Sequence, residues 1–498
     1  MQAYQQLEAR QKKIAALENA MGILQWDQET MMPSGAAPAR ATVLAELSVM
    51  VHELETAEGL EEQIQQAKAN VDALDAWQQA NLREIRHRFV HTNAVPADLV
   101  EKLVIASSEA SMTWRTARAK DDWNSLAPKL DALFALKREE AAIKSAALGV
   151  TPYEALLDQF DPGRRENQVD SIFADLADFL PGVLAEITAK QAAEPQPVSP
   201  QGPFPIEKQR ELGLELMNIL GFPFDHGRLD VAHHPFSGGA AGDVRITTRY
   251  EDDDFMASLM AVIHETGHAL YEDGLPAEWA TQPVGKSRGM TLHESQSLLL
   301  EMQAARSSEA IQFLVPVIRR MLGGRGDAWE ADNLLRIYRR VKPGLIRVYA
   351  DEVTYPLHVI LRYRLEKAIV AGELATADLP GAWNELMETL VGVRPPNNRD
   401  GVMQDVHWPE GILGYFPTYS LGAVAAAQIF AAAKRAEPDL LPGLARGDFR
   451  PLFGWLDTNI RSQGCLYMPD ELIARATGAP LGTEAFKANI LDRYLAPA

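Results

Sequence analysis

Cysteine is all but missing from this chain: Cys465 stands alone among 498 residues. That excludes an intrachain disulfide and a cysteine-rich zinc site, and it suits a reducing compartment. Cations are scarce too, with 48 Lys and Arg against 68 Asp and Glu and a formal net charge of −20. A phosphate-binding surface needs a basic excess, so nucleic acid is not an expected partner. No stretch approaches the roughly 18 consecutive apolar residues of a membrane span. The N-terminal MQAYQQLEARQKKIAALENAMGILQWDQE carries charges throughout and has no apolar core like that of a secretion signal. The expectation is a cytoplasmic protein with no membrane contact. Histidine is also sparse, at 11 residues, yet eight (His226, His233, His234, His264, His268, His293, His358 and His407) fall between 226 and 407. That crowding points to a cleft built from this part of the chain.

What the chain does have is helix. Residues 5–25, 37–70, 71–90, 97–119, 121–147 and 167–190 carry apolar residues three or four apart between charged faces. Five prolines in 194–205 break the pattern. They either divide a helical N-terminal half from a second half or form a long surface loop. The one convincing β region is 229–250, read as a hairpin around a Gly/Ala-rich connection from Ser237 to Gly242. Helical patterns return over 291–306, 307–322, 328–341, 343–371, 377–391 and 421–436. The fold class is therefore mainly α, with a small β region beside the most chemical segment.

That segment is His264-Glu265-Thr266-Gly267-His268, an H-E-x-x-H run. Residues four apart on a helix share a face, so both imidazoles can aim at one tetrahedral zinc. Glu265 is one step round from His264, placed to hold a water beside the metal and take its proton. The context is helical: acidic Asp252 to Asp254 lead in, and Leu259, Met260, Ile263, Gly267 and Leu270 form an apolar stripe. Gly274 and Pro276 read as the helix stop. Two ligands and a base suffice for metal-assisted hydrolysis. The rival reading is a histidine pair that only packs.

A catalytic zinc needs a third protein ligand. Glu294 and His293, at the start of the 291–306 pattern, are both candidates, but Thr291 and Glu294 also spell a T-x-x-E capping box, and taken alone the cap is favoured. Arg347 and Asp351 lie four apart in a predicted helix. They are either an ordinary ion pair or an arginine oriented by Asp351 to grip a carboxylate. Residues 401–422 read as a loop rich in polar and aromatic groups, where Tyr415 or Tyr419 is a candidate donor to an oxyanion.

Taken together, these residues resemble the thermostable carboxypeptidase family, zinc metallocarboxypeptidases that carry H-E-x-x-H. The family's signatures appear in order: His234-Pro235-Phe236; Asp243, Arg245 and Thr247; His264 to His268; His293 to Gln296; Ile346 to Asp351; and Gly401 to Trp408. The segment from Trp26 to Ala36 also looks like the family's start, so the match spans nearly the whole chain. The resemblance implies that Glu294 is the third zinc ligand and not a cap. It casts Glu265 as general base and then proton donor, and Arg347 as the binder of the substrate's terminal carboxylate. His234, Arg245, Gln404, His407 and Tyr419 are implied to line the cleft.

The implied fold is a helical saddle with a deep groove, similar to neurolysin, in which 1–498 form one catalytic domain. Residues 1–193 make a helical half that is a candidate lid, and 206–498 make the zinc-bearing half. The implied enzyme takes zinc or cobalt, is a homodimer, and removes most C-terminal residues singly from peptides with a free carboxylate, proline being resisted. Two rivals stand beside it. One is an oligopeptidase using the same zinc helix, the other a non-catalytic helical protein with a structural metal.

Overall fold

The computed structural model describes residues 2–496; Met1, Pro497 and Ala498, the ends of the expected 1–498 span, lie outside them. Helices dominate. The first half holds α1 (Gln2–Thr30), α2 (Ala37–Glu55), α3 (Leu60–Ala69), α4 (Ala76–Asn93), α5 (Ala97–Lys120), α6 (Trp123–Leu148), α7 (Pro152–Leu157) and α8 (Glu166–Ala193). After the proline-rich break come α9 (Ile206–Ile219), α10 (Phe255–Asp273), α11 (Gly289–Leu298), α12 (Ser308–Leu322), α13 (Ala331–Tyr338), α14 (Tyr355–Ala371), α15 (Leu379–Leu390) and α16 (Phe416–Ala436). The chain ends with α17 (Leu440–Leu444), α18 (Arg450–Asn459), α19 (Pro469–Thr477) and α20 (Glu484–Leu495).

The β region is not a simple hairpin. Strands β1 (Gly227–Val231), β2 (Ser237–Ala240) and β3 (Asp243–Thr248) form a sheet in the order β1-β3-β2. β1 runs parallel to β3, with Leu229 opposite Ile246, and β2 runs antiparallel to it, with Gly238 opposite Arg245. Most of the expected connection is therefore itself a strand, and the tight turn is at Ala241 and Gly242. Glycine disguised that strand, and at Gly239 it is required: φ there is +107°, and a Cβ would run into the Asp243 carbonyl oxygen of β3.

Three helices make the centre. α10 starts where the Asp254 carboxylate accepts from the N–H groups of Met256 (2.8 Å) and Ala257 (3.1 Å). It is buried on nearly every side, from Phe255 to Tyr271. Gly274 follows it with φ −80°, not the left-handed value of a typical helix stop; a Cβ there would sit 2.9 Å from Arg461 Cδ. α11 packs across α10 at Gly267, where a Cβ would lie 2.7 Å from both the Gln296 carbonyl oxygen and Ser297 Cα. α16 backs α11 at Gly422, where a Cβ would come within 2.8 Å of Glu294 Cβ. Forcing even one methyl into such contacts costs about 1–3 kcal/mol.

α16 is long and apolar enough to cross a membrane, but 83% of its most apolar window is buried inside the protein, so it reads as a core helix. It starts at Phe416, with Pro417 in its first turn, so Tyr419 stands on a helix and not on the predicted loop. The predicted helix over 343–371 forms only from Tyr355, since the Asp351 carboxylate instead accepts from the N–H groups of Lys342, Val353 and Thr354 and caps the turn.

Candidate active site and metal centre

α10 presents His264 and His268 one turn apart, and α11 brings Glu294 across to them. Glu294 Oε2 lies 3.5 Å from His268 Nε2 and 3.8 Å from His264 Nε2. Donors bonded at 2.0–2.2 Å around a tetrahedral zinc stand about 3.3–3.6 Å apart, so the spacing suits one ion. The outer contacts agree. His264 Nδ1 is 2.9 Å from Glu301 Oε2, which fixes the ring with Nε2 turned toward the other two donors. Glu301 is paired in turn with Arg306.

Charge argues the same way. Glu265, Glu294 and Glu301 crowd one buried space with the two histidines. Burial disfavours the Glu294 anion, yet its bond to His268 and the His264 charge hold its carboxyl down at about 2. Burial likewise works against the His264 cation, but Glu301 and Glu294 outweigh it and lift that ring to about 10. For His268 burial wins and takes the ring down to about 4. So much negative charge around two imidazoles fits a divalent cation, which would take the place of the proton that Glu301 and Glu294 hold on His264.

Glu265 is a different kind of carboxylate. It is buried, its Oε2 meets no partner among the described residues, and burial pushes it up to about 7. A carboxyl poised there can take and return a proton near neutrality.

The capping box does not form. α11 begins at Gly289, and the Thr291 hydroxyl donates to Asp161 Oδ2 at 2.8 Å. Glu294 is thereby left for the histidines. His293 joins Glu272 at 2.9 Å and stacks on His268 with ring centroids 4.5 Å apart, so it supports the site from outside the donor set.

Arg347 lies in a short 3₁₀ turn and is 6% exposed. Asp351 does not orient it; Asp405 does, accepting from Nε at 3.1 Å and Nη2 at 2.8 Å. Nη1 donates to the Tyr355 hydroxyl at 2.7 Å, and the guanidinium carbon sits 5.0 Å from the Tyr419 ring centroid. Asp405 also receives Arg362 Nε at 2.7 Å. Burial opposes the Asp405 charge, but the two arginines hold its carboxyl far below the usual range.

Gln404 accepts from the Arg347 backbone N–H at 2.9 Å and donates to the Leu345 carbonyl at 3.1 Å, so it braces the turn. His407 Nε2 lies 3.2 Å from the Tyr419 hydroxyl, and burial takes this ring down to about 4. His234 and Arg245 are not drawn into either group. His234 is exposed with its carbonyl facing Thr247, and Arg245 pairs with Asp243 and lies over Trp26.

Residues 6–494 match the family described as carboxypeptidase Taq (M32) metallopeptidase. The chain belongs to that family. It is 39% identical over 505 residues to thermostable carboxypeptidase 1 of Thermus thermophilus, covering 99% of this chain and 98% of that one. Carboxypeptidase 1 of Bacillus subtilis is 32% identical over 487 residues, covering 97% and 96%. Among solved structures, metallocarboxypeptidase 1 of Trypanosoma cruzi superposes with a TM-score of 0.98 at 39% identity, covering 100% of both chains. The Pyrococcus furiosus carboxypeptidase superposes at 0.94 with 32% identity, covering 99% of both. This M32 carboxypeptidase is thus a metal-dependent peptide hydrolase.

Sequence reasoning missed Glu301, Asp405 and Tyr355. Glu301 had a faint signal, seven residues or two helical turns beyond Glu294. What carries it to His264 is a π-helical stretch, Leu299–Ala305, that no periodicity announces. Asp405 sat inside the Gly401–Trp408 signature without a role. Replacing Glu301 with Gln keeps an acceptor but removes the charge behind His264. Metal retention in competition with a chelator is expected to weaken about tenfold; unchanged retention would contradict the role given to Glu301.

Proposed function

We propose that this M32 carboxypeptidase is a zinc enzyme that removes single residues from the free C-terminus of peptides, with broad specificity and with proline disfavoured. The carrying observation is the station of Arg347 relative to Glu294. Tyr419 underlies the Arg347 guanidinium and Gly422 abuts Glu294. These two residues are three apart on α16, a rise of about 4.5 Å. Tyr355 and Tyr419 each lie near enough to feel both the Arg347 and the Glu294 charge, so a buried, fixed cation stands beside the metal donors, as capture of a terminal carboxylate next to the bond to be cut requires.

His264, His268 and Glu294 are the proposed zinc ligands, with cobalt able to substitute. A zinc ion there supplies Lewis acidity at the scissile carbonyl and makes water easier to deprotonate. Glu265 takes the proton of the attacking water on its unpartnered oxygen and hands it to the leaving amine, roles that suit a carboxyl lifted to about 7. Arg347, held by Asp405 and Tyr355, captures the terminal carboxylate. In this reading the Tyr419 hydroxyl, 3.2 Å from His407 Nε2, donates to the developing oxyanion. Gln404 acts by holding the Arg347 turn. His234 and Arg245 enter this reading only as residues of a more distant part of the cleft, reached by a longer peptide.

The enzyme is further read as a cytoplasmic homodimer. α2 buries none of its side chains within the chain and leaves Val43, Val49 and Met50 about half exposed, which suits cover by a second copy.

Mass spectrometry of a free-acid peptide and its amidated twin, each with and without chelator, tests this reading. A chelator-sensitive ladder of single losses from the free acid alone is expected; equal internal cleavage of both would replace it with an oligopeptidase. Glu265→Gln should keep its metal and lose turnover by a factor of about 10² or more. Near-normal kcat in a metal-loaded variant would remove Glu265 from its role.

A further inference from the structure

A second pair of histidines stands four apart on a helix. His87 and His91 lie on α4, and both turn Nε2 toward Asp158, the residue that follows α7. The distances to Asp158 Oδ2 are 2.6 Å from His87 and 2.8 Å from His91, and the two rings are 4.6 Å apart. The donor set repeats that of the catalytic centre: two imidazoles one helical turn apart and a carboxylate from another element. We propose that His87, His91 and Asp158 form a second site, which takes a divalent transition cation of the zinc or cobalt class.

The geometry is permissive and also sets the strength. Asp158 is buried, and its Oδ1 is committed to the Gly163 N–H at 2.7 Å, which leaves Oδ2 for the histidines or a cation. The histidine side chains keep 25% and 12% exposure, enough for water to complete a tetrahedral shell. Lys144, whose charge also bears on His91, is occupied by Glu140 at 2.6 Å and Gln159 at 3.0 Å. Both histidines now stand at hydrogen-bond length from Asp158. A tetrahedral ion needs its donors about 3.3 Å apart, so they must part by roughly half an ångström. The catalytic donors, at 3.5 and 3.8 Å, need no such opening. The second cation therefore binds more weakly than the first.

Its place in the fold gives it a consequence. The turn that Asp158 opens continues to Phe160, whose carbonyl accepts from Met290 N–H at 2.7 Å, and to Asp161, which accepts from Thr291. Both partners lie in the first turn of α11, just before Glu294. A cation on Asp158 braces α4, a helix of the N-terminal half, against the turn that seats the start of α11 and with it Glu294.

The test is metal stoichiometry of the full chain, stripped and then titrated with cobalt(II), read by elemental analysis and visible absorption. Two equivalents are expected in the parent, the second weaker, with thermal unfolding moving up as it fills. His87→Ala/His91→Ala should bind one. The single variant His87→Gln should also lose the weaker equivalent, which guards against a double variant that fails to fold. His268→Ala should keep the weaker equivalent. A parent that saturates at one equivalent, or a folded His87→Gln that still binds two, would overturn the proposal and leave a hydrogen-bonded His-Asp-His cluster.

Discussion

Everything chemical in this protein depends on how closely three helices approach. α10 carries both histidines, α11 the glutamate, and α16 the wall behind it. Each crossing is made at a glycine, Gly267 on α10 and Gly422 on α16, where a single Cβ would press to 2.7–2.8 Å on its neighbour. Because the backbones touch, Glu294 reaches the histidines from a short, fixed distance and little rotamer freedom is left to lose. The donor spacing is a property of packed backbone, which deforms far less readily than a surface loop.

The same packing creates the electrostatic problem that a metal solves. Burial penalises every charge in the centre, yet Glu294 is held ionised by its histidine neighbours while Glu265 is lifted toward neutrality. Two carboxylates on crossing helices thus differ in charge because their surroundings differ. A second balanced cluster lies against the start of α16, where Asp405 divides its two oxygens between Arg347 and Arg362 beside the Phe416 and Tyr419 rings. With Asp405 neutralising one charge, Arg347 stays a buried cation with donors to spare.

The sequence was legible where chemistry follows local spacing. H-E-x-x-H lies on a helix, the segments 97–119 and 167–190 sit within helices found at Ala97–Lys120 and Glu166–Ala193, and the fold is mainly helical with a small sheet. It was less legible wherever a partner distant in the chain decides. The T-x-x-E spacing read as a cap, but Asp161, 130 residues earlier, claims Thr291. Asp351 read as the partner of Arg347, but the turn breaks the helix that would have paired them, and Asp405 supplies the carboxylate 58 residues later. The glycines of β2 read as a loop because the positive φ of Gly239 and its close approach to the Asp243 carbonyl of β3 belong to the folded sheet and leave no mark on the residue pattern. Glu301 was hidden by the π-helical register, which no apolar periodicity encodes.

If backbone approach sets the metal site, a methyl at its tightest contact should be felt by the metal before the fold. Chelator competition on Gly422→Ala measures this directly. The account predicts that the variant folds, with its circular dichroism unchanged, and gives up its metal about tenfold or more readily, because the new Cβ displaces Glu294. A folded Gly422→Ala that holds its metal as tightly as the parent would show that the glutamate finds the histidines without the close approach of these helices.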